Sequence, residues 1–417
     1  MCSTTFASLG RAQATALGFS DLPLAVIPHP FGSRSRAEIR ELAGDCVADL
    51  AKLLCEPVEA RRGGDAVGSV APPRAVLISV ADDPDAINHL VRERNWGDGL
   101  PVVPPTEARV ARMLNHSARG RHDVVAAIAP GFGVATVEGI AINAVLAGCD
   151  PAYLPVLIAA TEAMAEPQFN LQVIQTTTHP VAVMLMLNGP VVQRLQVNCG
   201  TNCFGPGSWA NATLGRALRL IQQNIGGALP GKIDQATQGQ PGKYTFCFAE
   251  NETANPWQPL QVERGYAPDT STVTVVGASG TSNMITHARD AHDLLRVIAG
   301  TMRVPATLEY IYGGEPWIVL APEHAAVLKN DGLEKSDVKH RLWELSKLPA
   351  SSLALKDLAR AQNGRSAELG DIGSATDLPI SVCADDITIV VAGGPGTHSV
   401  YVPVFGTSRS VTRAIAL

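Results

Sequence analysis

The sequence of 417 residues is long enough for two or three domains and a sizeable hydrophobic core. Apolar residues make up 46% and charged residues 17%, and 33 basic against 39 acidic side chains give a net charge of -6. This balance excludes a largely disordered chain and disfavours nucleic acid as a partner. We expect no membrane partner either, because Pro130, Gly131 and Gly133 interrupt the longest apolar run, at 124–137.

Glycine and proline, with 38 and 29 residues, are somewhat enriched and predict many shaped loops. Residues 1–18 lack the basic start and apolar core of a secretory signal, so we expect a cytoplasmic location. In that compartment the eight cysteines are expected to be reduced thiols rather than a disulfide framework.

The N-terminal part of the chain is predicted to be a truncated helix–strand–helix unit over 1–55. Helical patterns occupy 4–17 and 36–54, and 22–27 is typical of a short buried strand. A unit with a single strand cannot close a sheet, so we expect it to dock on the remaining chain, on a second subunit or in a homo-oligomer. Residues 56–74 have the composition of a linker, and 75–417 are predicted to be one large α/β domain.

Within this large domain, short apolar runs alternate with amphipathic helices, which predicts mixed sheets with flanking helices. The predicted strands are 75–80, 124–129, 181–187, 244–248, 272–276, 308–312, 317–320 and 387–391. The predicted helices are 84–94, 106–114, 134–147, 151–165, 208–225, 288–299, 322–329 and 336–345.

One internal repeat is visible in the sequence. Residues 272–282 match 388–398 at a shift of 388 − 272 = 116, and each copy is a buried strand followed by a Gly-rich turn. A duplicated unit would place the two loops side by side. The alternative is that the match has no such origin, because a strand followed by a Gly-rich turn is a common connection in α/β proteins.

The most specific segment for chemistry is 198–208, which leads into a helix carrying Asn211, Arg216 and Arg219. A thiol before a helix N-terminus has a lowered pKa, which favours Cys203 as a nucleophile or metal ligand. The alternatives are an anion pocket and a plain Gly-rich helix start. The anion pocket would be formed by Gly205, Gly207, Ser208 and Asn211.

A transition-metal site assembled from distant residues is the main variant, because thiolates and imidazoles serve in either role. Its candidate ligands are Cys149, Cys199 and Cys203. Further catalytic and binding candidates lie in polar or Gly-rich loops, where hydroxyls, an imidazole and backbone amides suit substrate orientation and proton transfer. These are Thr178, His179, Glu250, Ser279, Gly280, Gly396 and His398. No loop carries a Walker or complete dinucleotide-binding fingerprint.

Several motifs together resemble the family of UGSC-type selenoproteins and their cysteine forms. They are LGRAQA at 9–14, PHP at 28–30, NWGDGLPVVPPT at 95–106, INAVLAGCDP at 142–151, THP at 178–180, CFGPG at 203–207, ANATLGR at 210–216 and AENE at 249–252. The resemblance implies thiol or selenol redox chemistry. The U/C-Gly-Ser-Cys motif that names the family is absent from this sequence, and 1–55 resemble the part that follows it.

The leading hypothesis is an enzyme that acts on a small polar or anionic molecule by thiol-based redox or metal-assisted chemistry. Cys203 would be the nucleophile or ligand, His179 the acid/base and Glu250 a further catalytic group. One alternative is a non-catalytic large subunit that needs a partner chain to complete its N-terminal domain. The other is a lyase or hydrolase that uses no cysteine and binds an anion at a helix N-terminus.

Overall fold

The computed structural model describes residues 1–55 and 75–416, so the predicted linker at 56–74 lies outside the described residues. The strands are β1 Cys2–Ser3, β2 Val26–Ile27, β3 Val124–Ile128, β4 Gly133–Thr136, β5 Ala182–Asn188, β6 Cys247–Ala249, β7 Thr272–Ala278, β8 Ser282–Ile285, β9 Trp317–Leu320, β10 Leu348–Pro349, β11 Asp377–Leu378, β12 Thr388–Val391, β13 His398–Val402 and β14 Val411–Ala414. The helices are α1 Ala7–Ala16, α2 Arg36–Cys55, α3 Pro84–Glu93, α4 Glu107–Leu114, α5 Val137–Ala147, α6 Leu154–Ala165, α7 Leu171–Thr176, α8 Val191–Arg194, α9 Trp209–Asn224, α10 Leu260–Glu263, α11 Ala291–Met302, α12 Leu308–Tyr312, α13 Pro322–Asn330, α14 Lys335–Leu345 and α15 Leu355–Leu369. The α/β class with mixed sheets is confirmed. No helix within the described ranges is both long enough and apolar enough to cross a bilayer.

Two four-stranded sheets carry the large domain. Sheet I has the order β14-β7-β5-β6 and sheet II the order β12-β9-β13-β8. In each sheet one parallel pair, β5 with β6 or β9 with β12, is followed by two antiparallel pairings. The fourth strands are exchanged: β8 follows β7 in the chain but lies in sheet II, and β14 follows β13 but lies in sheet I.

Side chains on the central strands alternate between an outer and an inner hydrophobic cluster. Val183, Leu185 and Leu187 of β5 share one cluster with helices α5, α6 and α9. Met184 and Met186 share another with residues of sheet II, such as Val319 of β9. Sheet II has its own outer cluster with α11, α13 and α14. The result is a four-layer helix–sheet–sheet–helix sandwich in which both faces of each sheet are covered.

The two sheets repeat one strand arrangement, but the predicted duplication that matches 272–282 with 388–398 is wrong. The shift of 116 matches β7 with β12, which occupy different positions in their sheets. The equivalent elements are α6, α7 and β5 in one half and α11, α12 and β9 in the other. At a shift of 301 − 161 = 140, Thr161 donates to the Leu157 carbonyl as Thr301 donates to that of Val297.

Most of the predicted elements of the large domain are confirmed with small shifts of their ends, but three are wrong. Residues 75–80 have no strand assignment and are exposed. Residues 308–312 form helix α12 rather than a strand, since Gly313, with φ +74°, ends a single helical turn. The predicted helix 134–147 begins with strand β4, and α5 starts at Val137 because Thr136 caps it by accepting from the Gly139 amide.

The N-terminal unit contains both predicted helices, but the predicted strand at 22–27 is reduced to the two residues of β2. Helices α1 and α2 flank a parallel pair of two-residue strands, β1 and β2. No side chain of α2 is fully buried. The N-terminal unit contacts the large domain through hydrogen bonds that include one from Gln13 to the Pro130 carbonyl and one from Lys356 to the Gly32 carbonyl.

A buried acid in α12 generates a prediction about stability. The Glu309 carboxyl accepts from the Val404 amide at 2.9 Å and from the Tyr401 hydroxyl. Burial raises its pKa from 4.5 to about 8. Between these values the folded chain keeps a proton that the unfolded chain releases, so the free energy of unfolding should fall as pH rises through this window.

The variant Glu309→Gln should remove this dependence, because an amide has no proton to lose and can still bond both partners. Urea unfolding at pH 5.5 and pH 8 measures the effect, which is at most about 1.4 kcal/mol per pH unit for one proton. Glu344→Gln, on the surface, should leave the slope unchanged. An unaltered slope in Glu309→Gln would contradict the assignment.

Candidate functional site

The residues predicted to form one pocket lie at two opposite ends of sheet I. Thr178 and His179 precede β5, and Ser279 and Gly280 follow the antiparallel strand β7 at that same end. Glu250 lies at the other end, where its amide donates to the Leu187 carbonyl. The seven residues of β5 span about 20 Å. His179 and Glu250 are therefore too far apart to act on one small substrate.

The loop 198–208 is organised around the side chain of Asn211. The Asn211 amide oxygen accepts from the Asn198 amide and the Ser208 hydroxyl, both at 2.8 Å. Its nitrogen donates to the carbonyls of Asn198 and Cys203 at 2.9 and 3.1 Å. Asn211 thus uses its hydrogen-bonding capacity to hold the loop rather than a substrate.

The start of helix α9 is capped from within the chain. Ser208 is the N-cap, and its hydroxyl accepts from the Asn211 amide at 3.3 Å. Gly207 has φ +118°, and a Cβ on Gly205 would lie 2.1 Å from the Asn202 side-chain oxygen. The glycines of this loop therefore serve its tight folding, and the capped helix start offers fewer free amides to an anion.

Cys203 is buried and Cys149 and Cys199 are partly buried, and the pKa of these thiols is raised rather than lowered as we expected. Burial raises the pKa of Cys203 to about 11 and that of Cys149 to about 12. The Cys203 side chain lies in the cluster between the sheets with Phe246 and Phe248. A thiol that is protonated near neutral pH is a poor nucleophile.

The predicted metal ligands do not gather into a recognisable metal site. The Cys149 thiol donates to the Thr213 carbonyl at 3.3 Å, and the Cys199 carbonyl accepts from the Gly393 amide at 2.9 Å. Over 1–55 and 75–416, no group of three His, Cys, Asp or Glu side chains is placed to hold a metal ion.

The burial of these thiols predicts a labelling order. With iodoacetamide at pH 7.5, exposed Cys55 and Cys383 should react first, and Cys203 and Cys247 only after unfolding. A pKa of about 11 for Cys203, against the usual 9, lowers the thiolate fraction about a hundredfold. Peptide mass spectrometry in a time course measures the order, with the urea-unfolded chain as control. Rapid labelling of native Cys203 would contradict the burial.

Glu250 is a buried structural acid rather than an open catalytic group. Its carboxylate accepts from the side chains of Asn188 and Asn255, each at 2.7 Å, and from the Leu260 amide at 2.9 Å. Burial raises its pKa. These bonds fix the turn after β6 to β5 and to the start of α10.

The second Gly-rich loop packs against the loop that carries Cys203. A Cβ on Gly394 would lie 2.1 Å from the Thr201 hydroxyl, so only glycine fits there. The Gly396 amide donates to Glu323 at 2.8 Å. His398 is exposed and bonds to Asn283 at 3.1 Å. Gly396 and His398 therefore lie at the opposite end of the sandwich from Ser279 and Gly280.

An open pocket of about 560 Å³ that the sequence analysis missed lies beside the loop that binds Thr178 and Pro180 through Thr237 and Gln240. Its charged floor consists of Arg219 of α9 with Asp234 and Lys243 of the loop between α9 and β6. Its walls are Asp98, Gln223, Pro230, Gly231, Ala236, Gln238, Gly239, Gln240, Pro241 and Tyr244. A volume of this size suits a small ligand.

Two cations share one carboxylate at the floor of this pocket. Asp234 accepts from Lys243 at 2.8 Å through both oxygens and lies 3.2 Å from the Arg219 guanidinium. Arg219 also donates to Gln175 at 3.1 Å. Burial lowers the pKa of Arg219 and of Lys243, because a buried cation is less well solvated.

A second ion pair borders the pocket. Arg216 binds Asp98 through two nitrogens at 2.7 and 2.9 Å. The Asp98 pair and the Asp234 triad together hold three cations, Arg216, Arg219 and Lys243, against two carboxylates. The network therefore carries one positive charge that no carboxylate within it balances.

His179 stands beside this network. Its Nδ1 is buried without a hydrogen-bond partner, and its ring contacts Phe405 edge-on at 5.6 Å between centroids. Burial, followed by the charge of Lys243, lowers the pKa of the His179 imidazole. The imidazole is consequently neutral around pH 7, which is the form that accepts a proton.

One signal for this pocket was present in the sequence. The sequence places Arg216 and Arg219 on the helix after the Cys203 loop. Asp234, the partner of Arg219, lies in a loop without a recognisable sequence pattern. Lys243 reaches the same carboxylate as Arg219, that of Asp234, because the turn 241–243 packs beside β5. Sequence spacing alone does not reveal such a contact.

Comparison with known families supports part of the resemblance. The model of the UGSC family matches residues 1–56. No curated protein matches the chain. The family resemblance is thereby confirmed for the N-terminal unit, and the motifs quoted from the large domain lie outside the matched residues.

Proposed function

We propose that the chain is an enzyme that acts on a small anionic molecule bound by Arg219 and Lys243. The observation that carries this proposal is the pair of buried or half-buried cations that share the single carboxylate of Asp234. Buried charges are costly unless they are balanced. An anionic ligand would supply the missing charge and raise the lowered pKa values of both cations.

The reaction that fits these groups uses no cysteine. His179, which lies near Lys243 but outside the lining of the pocket, would accept a proton from a bound molecule that reaches it. Gln223, Gln238 and Gln240 would orient the polar groups of that molecule. A carboxylate held by an arginine beside a neutral imidazole suits proton abstraction or the activation of water, as in a lyase or hydrolase. The raised pKa of Cys203 gives less support to thiol redox chemistry.

Opposite charge changes at the floor of the pocket test the binding site. Lys243→Gln removes the excess charge, so we expect acetate, malonate and inorganic phosphate to bind about tenfold more weakly or worse. Asp234→Asn leaves both cations unbalanced, so it should bind these anions more tightly and depend on them for stability. Thermal unfolding against anion concentration, at constant ionic strength with chloride, gives the affinities.

Lys347→Gln is the matched control, because Lys347 pairs with Glu344 on the surface at 2.6 Å. It should leave anion binding within about twofold of the original chain. A decrease for both Lys243→Gln and Asp234→Asn, or no change in either, would defeat the proposal.

The catalytic part of the proposal has its own test. A panel of small carboxylates would be incubated with the chain and followed by proton NMR. We expect turnover of at least one, and His179→Gln should reduce it about a hundredfold or more while the anion affinity stays unchanged. Equal loss of affinity and turnover would make His179 a structural residue.

A second candidate function rests on the N-terminal unit. Strands β1 and β2 form a parallel sheet of two two-residue strands, and parallel sheets are normally larger and covered on both faces. Phe19, Val47 and Leu54 are exposed apolar residues of this unit. We propose, as the alternative, a large subunit whose N-terminal sheet is completed by another chain.

Native mass spectrometry of the full chain tests this alternative. A partner that completes the sheet should appear as a defined complex, and Val47→Glu on the exposed side of α2 should dissociate it. Val173→Glu, at an exposed apolar position of the large domain, is the control. A monomer with slow amide exchange in β1 and β2 would contradict the alternative.

A further inference from the structure

A second cleft, of about 580 Å³, lies between helices α3, α4 and α5. Its inner wall is apolar and includes Ile87, Val91, Val110, Ile142 and Leu146. Apolar side chains at 76–80 line its mouth and are exposed to solvent. A concave apolar surface with exposed apolar residues at its edge is typical of a ligand site.

One side of this cleft is polar, and several of its polar atoms have no partner. Asn224 donates to Asn143 at 2.7 Å and to the Trp96 carbonyl at 2.9 Å, but its buried side-chain oxygen accepts nothing. The buried Nδ1 of His122 is likewise without a hydrogen bond. Unpartnered buried polar atoms are rare in folded proteins and call for an explanation.

Glu138 completes the polar side of the cleft. Arg121 binds one of its carboxylate oxygens at 2.5 Å. The other oxygen has His122 at 3.8 Å, which is too long for a hydrogen bond. The side chain of Glu138 is largely buried, whereas that of Arg121 is about half exposed. The cleft thus offers one acceptor, the carboxylate oxygen of Glu138 that Arg121 does not bind, to a group that donates hydrogen bonds.

We propose that this cleft binds a small molecule with an apolar body and an amine head group. The ammonium would donate to the free oxygen of Glu138. The apolar body would cover Ile142 and Leu146 and reduce the exposure of 76–80. An ammonium fits better than a hydroxyl because it supplies several donors and a charge opposite to that of Glu138.

The amine site is independent of the anion pocket. Its polar groups come from α5, the segment 121–122 and the end of α9, whereas Arg219, Asp234 and Lys243 form the floor of the other cavity. A molecule bound here carries the opposite charge. The two cavities share no lining residue, so a negative binding result at one of them does not contradict the proposal for the other.

The test compares three probes of similar shape on the full chain: 2-phenylethylamine, 2-phenylethanol and 3-phenylpropanoate. Titration calorimetry and thermal unfolding measure their binding. We expect the amine to bind about tenfold or more tighter than the alcohol, and the carboxylate not to bind at this site. Equal binding of amine and alcohol, preference for the carboxylate, or no binding of the amine would overturn the proposal.

Matched variants locate the site. Glu138→Gln should weaken amine binding about tenfold or more, whereas Glu162→Gln, which breaks the similar pair with Arg119 outside the cleft, should leave it unchanged. Ile142→Trp fills the cleft without altering charge and should abolish binding while circular dichroism shows a folded chain. Lys243→Gln should not affect the amine. Retained amine binding in both cleft variants would reject the site.

Discussion

The exchange of strands between the two sheets is the constraint on which the rest of the large domain depends. Strand β8 completes the sheet of the second half, and β14 completes that of the first. Neither sheet reaches four strands without a segment from the other half. The hydrophobic layer between the sheets then packs as a single unit. The outer cluster on the other face of sheet I holds β5 against α9.

Each half contains a buried arginine on a helix, and the two arginines make different contacts. Arg219 lies on the helix between β5 and β6, and Arg365 lies on a helix between β9 and β12. Arg365 is almost fully buried and donates to the carbonyls of Tyr310 and Pro379 and to Glu368. Arg219 instead shares Asp234 with Lys243 at an open cavity. Arg365 is thus bound by backbone carbonyls and a neighbouring glutamate, whereas Arg219 borders an open pocket.

The sequence predicts the fold better than it predicts the site, for physical reasons. Apolar runs such as those at 181–187 and 317–320 are central strands with both faces covered, and they are recognisable without context. The run 308–312 is too short to distinguish a strand from one helical turn, and β8 and β14 owe their conformation to pairing with distant strands. Cys203 stands in a loop before a helix, but its burial, and not this position, decides its pKa. The charged pocket joins Arg219 to residues 15 and 24 positions further along the chain, at Asp234 and Lys243, through a loop without regular pattern.

The strand exchange also describes how such a chain is related to a simpler assembly. If the chain were divided between β8 and α11, each half would carry three strands of its own sheet and end in a strand that belongs to the other. Two identical halves of this kind can only complete their sheets as a symmetric pair that trades terminal strands. The present chain has the connectivity of such a domain-swapped dimer after its two copies have been joined.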